Sequence, residues 1–203
     1  MKLHWSPRSP FVRKVMIVAH EFGLTERISC VRSVVAFTKP HAVLMAENPL
    51  SKIPTLVLDD GTVLYDSPVI CEYLDSLHDG PRLHPADARE RMTALRRQAL
   101  GDGFLDLLVQ LRDERMRTNP SDAHTSSAAV RKAAVLESLD HEAAALAAAP
   151  FGIGHIAVGC ALSYLDFRYA DEDWRKGRPR IARWHATFAT RLSVRATAPV
   201  DDA

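Results

Sequence analysis

The chain has 203 residues, of which 47% are apolar and 25% charged, and its formal net charge is +1. That balance excludes a disordered chain and gives no global attraction to nucleic acid or to an anionic membrane, so any anion site has to be local. No run of about 18 apolar residues occurs, and the N-terminus lacks the basic, apolar and small-residue succession of a signal peptide, so cytoplasmic residence and no membrane partner are expected.

Lys2–Ser6 alternates as a short strand, and Pro7 and Pro10 punctuate the chain before Phe11–Phe22. There Val12, Val15, Met16, Ala19 and Phe22 share one helical face, and Gly23 stops the helix as a C-terminal cap. Arg27–Val31 reads as a second strand, and a poorly patterned stretch from Lys39 to Glu47 holds a short helix before Asn48-Pro49. Pro54–Leu58 and Thr62–Tyr65 flank Asp59-Asp60-Gly61, which predicts a β-hairpin. Ser67 as N-cap and Pro68 at the first helical position then open a helix through Val69, Ile70, Tyr73, Leu74 and Leu77.

Beyond Pro85 the candidates are long helices: Ala86–Arg117, Asp122–Ala149, Ile153–Ala170 and Pro179–Leu192, broken by Asn119-Pro120, by Pro150 with Gly152, and by Gly177 with Pro179. Thr197–Ala203 reads as a loose tail. The change of character near Gly80-Pro81 predicts two domains, a βαβ-α-ββα unit over 1–79 and an all-helical unit over 86–203. Cys30, Cys71 and Cys160 lie far apart in apolar surroundings with no CxxC pair, so they read as buried free thiols. The nine histidines show no metal-ligand spacing, and no metal is expected. The basic run Arg175–Arg180 follows acidic Asp171–Asp173 and reads as a solvated loop, so no nucleic-acid partner is expected.

Three segments together are informative: Ser6-Pro7-Arg8-Ser9-Pro10-Phe11-Val12-Arg13-Lys14-Val15, then Asn48-Pro49-Leu50-Ser51-Lys52-Ile53-Pro54-Thr55-Leu56, then Leu64-Tyr65-Asp66-Ser67-Pro68-Val69-Ile70-Cys71-Glu72-Tyr73-Leu74. In this order they resemble the signature blocks of cytosolic glutathione S-transferases, and Ala161–Arg168 resembles the central helix of that family's second domain. The chain is similar in particular to a small bacterial subgroup of that family of unassigned substrate, the YibF-like proteins. The resemblance implies an α/β thioredoxin-like domain that binds glutathione, followed by an all-α helical-bundle domain. It also implies a cytoplasmic homodimer with a detoxifying role, and glutathione as co-substrate to a small hydrophobic electrophile.

The chemistry such an enzyme needs is a thiolate, because a free thiol near pKa ~8.5 is mostly protonated at neutral pH. Ser9 stands where α-helical backbone N–H groups begin, so its hydroxyl and those amides can converge on an anionic sulfur; capping the helix is its plainer role, and the two are compatible. Ser6 is the competing donor. By the resemblance, Ile53-Pro54 forms a cis-proline turn whose backbone pairs with the cysteinyl part of glutathione, Lys52 meets the glycine carboxylate with Lys39 as a weaker candidate, and Asp66 and Ser67 grip the γ-glutamyl end. Tyr164, Phe167, Phe104, Leu108, Arg112, Arg115 and Met116 are candidates to line the electrophile site between the domains, although such helical spacing more commonly marks core.

One departure stands out. The family's central helix in the second domain usually opens with a serine or threonine and, three residues on, an aspartate, whereas Gly152-Ile153-Gly154-His155 occupies that place here, so both side-chain caps are expected to be missing. The competing functions are a non-catalytic glutathione-binding or protein-interaction module with the same fold, and a glutathione-dependent peroxidase or isomerase using the same site.

Overall fold

The computed structural model describes residues 1–202. It contains two units, Met1–His84 joined by the segment from Leu192 onward, and Pro85–Arg191. The sequence division at 79/86 therefore differs at its far end: the last helix belongs with the first unit and not with the helical one.

In the first unit, β1 (Lys2–Trp5) leads into α1 (Pro10–Glu21), a 3₁₀ turn (Thr25–Arg27) and β2 (Ser29–Arg32). A short α2 (Ala42–Met45), the hairpin strands β3 (Thr55–Val57) and β4 (Val63–Leu64), and α3 (Ser67–Ser76) follow. The sheet order is β2-β1-β3-β4, with β1 parallel to β2 and the other neighbours antiparallel. Leu3 lies opposite both Cys30 and Leu56, and Leu56 opposite Leu64. Leu3 and Leu56 are fully buried, as are Ile70, Cys71 and Leu74 of α3, each large apolar side chain contributing about 1.5–3 kcal/mol of transfer free energy.

The end of α1 follows local chemistry. Gly23 takes φ +63°, its N–H bonds the His20 carbonyl at 3.2 Å, and the Leu24 N–H bonds the Ala19 carbonyl at 2.8 Å, the paired closure of a Schellman motif. The hairpin turn is likewise built from Asp60 and Gly61: Gly61 has φ +88°, and Asp60 Oδ1 accepts from the Thr62 N–H at 2.8 Å. Asp75, buried at the end of α3, accepts from the Leu83 and His84 N–H groups at 3.0 and 2.9 Å and pairs with His84 Nδ1 at 2.7 Å. Burial alone raises its pKa, but those bonds and the His84 charge outweigh it and hold the carboxyl below its ordinary value.

α1 is buried nearly all round because α3 and α8 (Leu192–Ala196) pack against it besides the sheet. Arg13 Nη2 donates to the Val194 carbonyl at 3.2 Å, and the Ser193 hydroxyl donates to Glu21. Beyond α8 the chain is held too: Asp202 pairs with Arg8 and Arg32, where a loose tail was expected. Cys71 and Cys160 are buried, but Cys30 is exposed because β2 is an edge strand.

The second unit comprises α4 (Ala88–Arg115), α5 (Asp122–Ala148), α6 (Ile153–Arg168) and α7 (Pro179–Ala189). α6 is its core, with Ile156, Ala157, Val158 and Leu162 fully buried. Asp87 caps α4, accepting from the Arg89 and Glu90 N–H groups, and Ser121 caps α5. α7 has no capping side chain of its own; Asp140 of α5 accepts from the Arg180 and Ile181 N–H groups at 2.9 Å each. α4 crosses α6 where Gly101 faces Ala157, and a Cβ at Gly101 would stand 2.5 Å from the Ala157 carbonyl carbon. Alanine at Gly101 ordinarily gains about 1 kcal/mol of helix propensity. Here the methyl meets backbone that cannot give way, so a net loss of about 1–3 kcal/mol is expected in denaturant unfolding. A neutral or stabilising result would contradict this packing.

The opening of α6 corrects the expectation of two missing caps. Gly152 has no side chain to offer, but His155 Nδ1 accepts from the Gly152 N–H at 3.2 Å, supplying the returning half of a capping box. His155 Nε2 bonds the Leu146 carbonyl at 2.8 Å, so the ring is neutral with its proton on Nε2. Burial lowers its pKa below 6.5, and the charges of Arg97 and Arg191 push the same way against the Leu146 bond. Because the folded state holds this proton more weakly than the unfolded chain, the stability contributed is complete above pH ~6.5 and declines as pH falls toward the lowered folded value. We expect His155→Asn to flatten this decline in unfolding measured from pH 7 to pH 5; an unchanged slope would exclude His155 as its source.

Candidate functional site

The loop after β1 carries both serines. Ser9 is the N-cap of α1: its Oγ accepts from the Val12 N–H at 3.2 Å, so its own hydroxyl proton remains to be donated. Pro10 fills the first helical position, where the missing N–H costs nothing. Ser9 is half-buried, whereas Ser6 is buried, with its Oγ accepting from the Arg8 N–H at 3.4 Å. Of the two hydroxyls, that of Ser9 is the more accessible, and it lies at the positive end of α1.

The loop ahead of β3 is organised by Asn48, which is 1% exposed. Its Nδ2 donates to the Lys52 carbonyl at 3.2 Å and to Thr55 Oγ1 at 2.8 Å, while its Oδ1 accepts from the Leu50 N–H at 3.0 Å. Ile53-Pro54 is cis, as expected, and Ile53 is buried. The Lys52 side chain is exposed, and Lys39 lies in an exposed turn paired with Ala36. Asn48→Ala removes two bonds to the loop backbone, at Lys52 and Leu50, and one to the Thr55 hydroxyl, which still donates to the Lys52 carbonyl at 2.9 Å. A loss of about 1–3 kcal/mol in denaturant unfolding is the expected result, and unchanged stability would show that the Asn48 bonds do not hold the loop.

The third segment sits at the start of α3, one residue away from the sequence reading. Asp66 is the N-cap, exposed and without a capping side-chain bond; Ser67 is the first helical residue and Pro68 the second. The Tyr65-Asp66 peptide is also cis. Ser67, 1% exposed, has its Oγ bonded at 3.2 Å by Nζ of Lys14, which is fully buried. A cation thus stands beneath a helix N-terminus, and both favour an anion at that place. Sequence reasoning gave Lys14 no role. Only the structure shows why: Val12, Val15, Ile17 and Val18 are buried around α1 together with Lys14, whereas a lysine in a sequence ordinarily reads as a solvated charge.

Other candidates separate cleanly. Phe104, Leu108 and Tyr164 are buried in the core of the second unit, Phe167 lies under the Arg168 guanidinium, and Met116 is 77% exposed. Arg112 bonds Asp113 and Tyr164, and Arg115 stands over the Tyr169 ring. Within the basic run, Arg175 forms a two-pronged pair with Asp166, and Arg180 pairs with Asp140. His4 links Ser33 at 2.8 Å and Glu47 at 2.6 Å, but Ser33 is 1% exposed, so this chain of bonds braces β1 against the loops and presents no nucleophile. Among the described residues no group of three or more potential ligands could hold a metal ion, and no helix is long and apolar enough to cross a membrane.

Residues 8–77 match the family model for the glutathione S-transferase N-terminal domain, and residues 125–187 that for the C-terminal domain. The chain is 30% identical over 206 residues to the uncharacterized GST-like protein YibF of Escherichia coli (strain K12), covering 98% of each. Among solved structures it resembles a glutathione transferase family member from Pseudomonas fluorescens Pf-5 with bound glutathione, at 40% identity and TM-score 0.95, covering 98% of this chain and 99% of that one. It also resembles a glutathione S-transferase from Methylobacillus flagellatus KT with glutathione bound, at 36% identity and TM-score 0.87, covering 98% of this chain and 99% of that one.

Proposed function

The chain belongs to the glutathione S-transferase family, and from that premise we propose that it binds reduced glutathione in its first unit and ionises the thiol against Ser9 for attack on a small hydrophobic electrophile. The observation that carries this reading is the half-buried Ser9 hydroxyl, whose oxygen is committed to the Val12 N–H and whose proton is left to donate at the N-terminus of α1. A hydroxyl donor and a helix N-terminus together favour the thiolate over the thiol.

In this proposal the peptide lies along three segments. Ser67, with Lys14 behind it, takes the γ-glutamyl carboxylate, and Asp66 faces the ammonium. Backbone groups of Ile53, turned by Pro54, pair with the cysteinyl residue, and Lys52 meets the glycine carboxylate. The glutathione bound in the Pseudomonas and Methylobacillus proteins supports the assignment. In the reaction the sulfur pair forms the new C–S bond, the electrophile's leaving group departs with its bonding pair, and the thiol proton passes to solvent. Cytoplasmic residence, homodimerisation and a detoxifying role belong to the same proposal. Calorimetry with reduced glutathione tests it: saturable binding is expected, and no heat at millimolar ligand would end it.

A further inference from the structure

Parallel strands β1 and β2 end side by side, Trp5 opposite Arg32, and the chain leaving β1 carries Arg8 next to Ser9. Ligands of open α/β sheets bind outside the carboxyl ends of such strands. Both arginines converge there on one carboxylate. Arg8 Nε bonds Asp202 Oδ1 at 2.7 Å, Arg32 Nε bonds Oδ2 at 2.7 Å, and Arg32 Nη2 bonds Oδ1 at 2.9 Å. Asp201 Oδ1 lies 3.5 Å from Arg8 Nε. Two guanidiniums aimed at one point repel unless an anion stands between them, and neither can deprotonate to relieve it. The planar fork of Arg32 matches a carboxylate with two parallel bonds. Asp202 itself is about one-third exposed and lies beyond α8, outside any helix or strand, so a soluble carboxylate can displace it at little cost.

We infer that Arg8 and Arg32 form a carboxylate subsite for the second substrate, which is an electrophile bearing a carboxylate, and that Asp202 occupies the subsite until that substrate arrives. The inference rests on the proposed glutathione reaction and deepens it. The substrate carboxylate takes no part in the bond changes: sulfur attacks a neighbouring carbon, and a leaving group such as halide departs with its bonding pair. Arg8 immediately precedes Ser9, inside the turn closed by the Ser9 N–H on the Ser6 carbonyl at 3.2 Å, so the same short loop carries the guanidinium and the hydroxyl proposed to meet the sulfur.

The test compares two conjugates as ligands, S-carboxymethylglutathione and uncharged S-ethylglutathione, by calorimetry. The wild-type protein is expected to prefer the carboxylated conjugate about fivefold, the modest worth of a partly exposed ion pair. The paired change Asp201→Asn with Asp202→Asn should raise that preference, and Arg8→Gln or Arg32→Gln, confirmed as folded by circular dichroism, should bring it to about one. Equal affinity for the two conjugates in the wild type, or a preference that survives both arginine substitutions, would overturn the subsite while leaving the glutathione reading intact. Failure of both conjugates to bind would overturn the glutathione reading and the subsite with it.

Discussion

Replacing Ser9 with alanine is expected to lower conjugation at neutral pH on the order of 10²-fold, the cost of losing one donor aimed at developing or resident negative charge. The loss falls on kcat more than on KM, because the hydroxyl meets only the sulfur and the remaining segments hold the rest of the peptide. The pH dependence has a definite sign. In the proposed mechanism a lowered thiol pKa sustains conjugation well below pH ~8.5, the ordinary thiol value. In Ser9→Ala the acid limb of the rate profile should move up toward that value, so the deficit is large near neutrality and shrinks as pH rises. A uniform deficit at every pH would assign Ser9 to capping alone, since a weakened α1 affects all protonation states alike.

The second large effect is expected at the buried pair Lys14 and Ser67. Ser67→Ala deletes the hydroxyl that bonds Lys14 Nζ and would contact the γ-glutamyl carboxylate. Hydrogen bonds to charged groups are worth about 1.5–3 kcal/mol, so glutathione affinity should fall about ten- to a hundredfold. The effect belongs in KM for glutathione, with little change in the thiol titration of the bound complex, which separates it from Ser9→Ala. Lys14→Met tests the charge itself: it fits the apolar surroundings of α1 by volume, and it should weaken glutathione binding with a shallower dependence on ionic strength. Wild-type affinity in both variants would remove the start of α3 from the binding site.

How far this molecule could be read from its sequence depended on the range of the interactions involved. Asp60 and Gly61, Gly23, and the Pro at the start of α1, α3 and α7 act within a few residues of themselves, and the elements they bound stand within one to three residues of the expected positions. The serine at the α1 N-cap was visible for the same reason, whereas the cis Ile53-Pro54 peptide was expected only from the family resemblance. Contacts between distant segments were not. Asp140 capping α7 across 40 residues and Arg13 reaching Val194 across 181 leave no local pattern, so the return of α8 to the first unit went unseen. His155 was read as a lost cap because an aspartate is the usual partner there, yet an imidazole nitrogen accepts from the same N–H. Lys14 and Asn48 show the same limit at the site: each supports a residue that meets the ligand in the proposed mode, and their roles emerge only once burial is known.

The most direct test of the central claim is the titration of the glutathione thiol in its complex with the wild-type protein, followed by thiolate ultraviolet absorbance. The account predicts a thiol pKa about two units below the free value of ~8.5, equivalent to about 2.7 kcal/mol of preference for the anion, and largely restored in Ser9→Ala. A bound thiol that titrates where free glutathione does would contradict it.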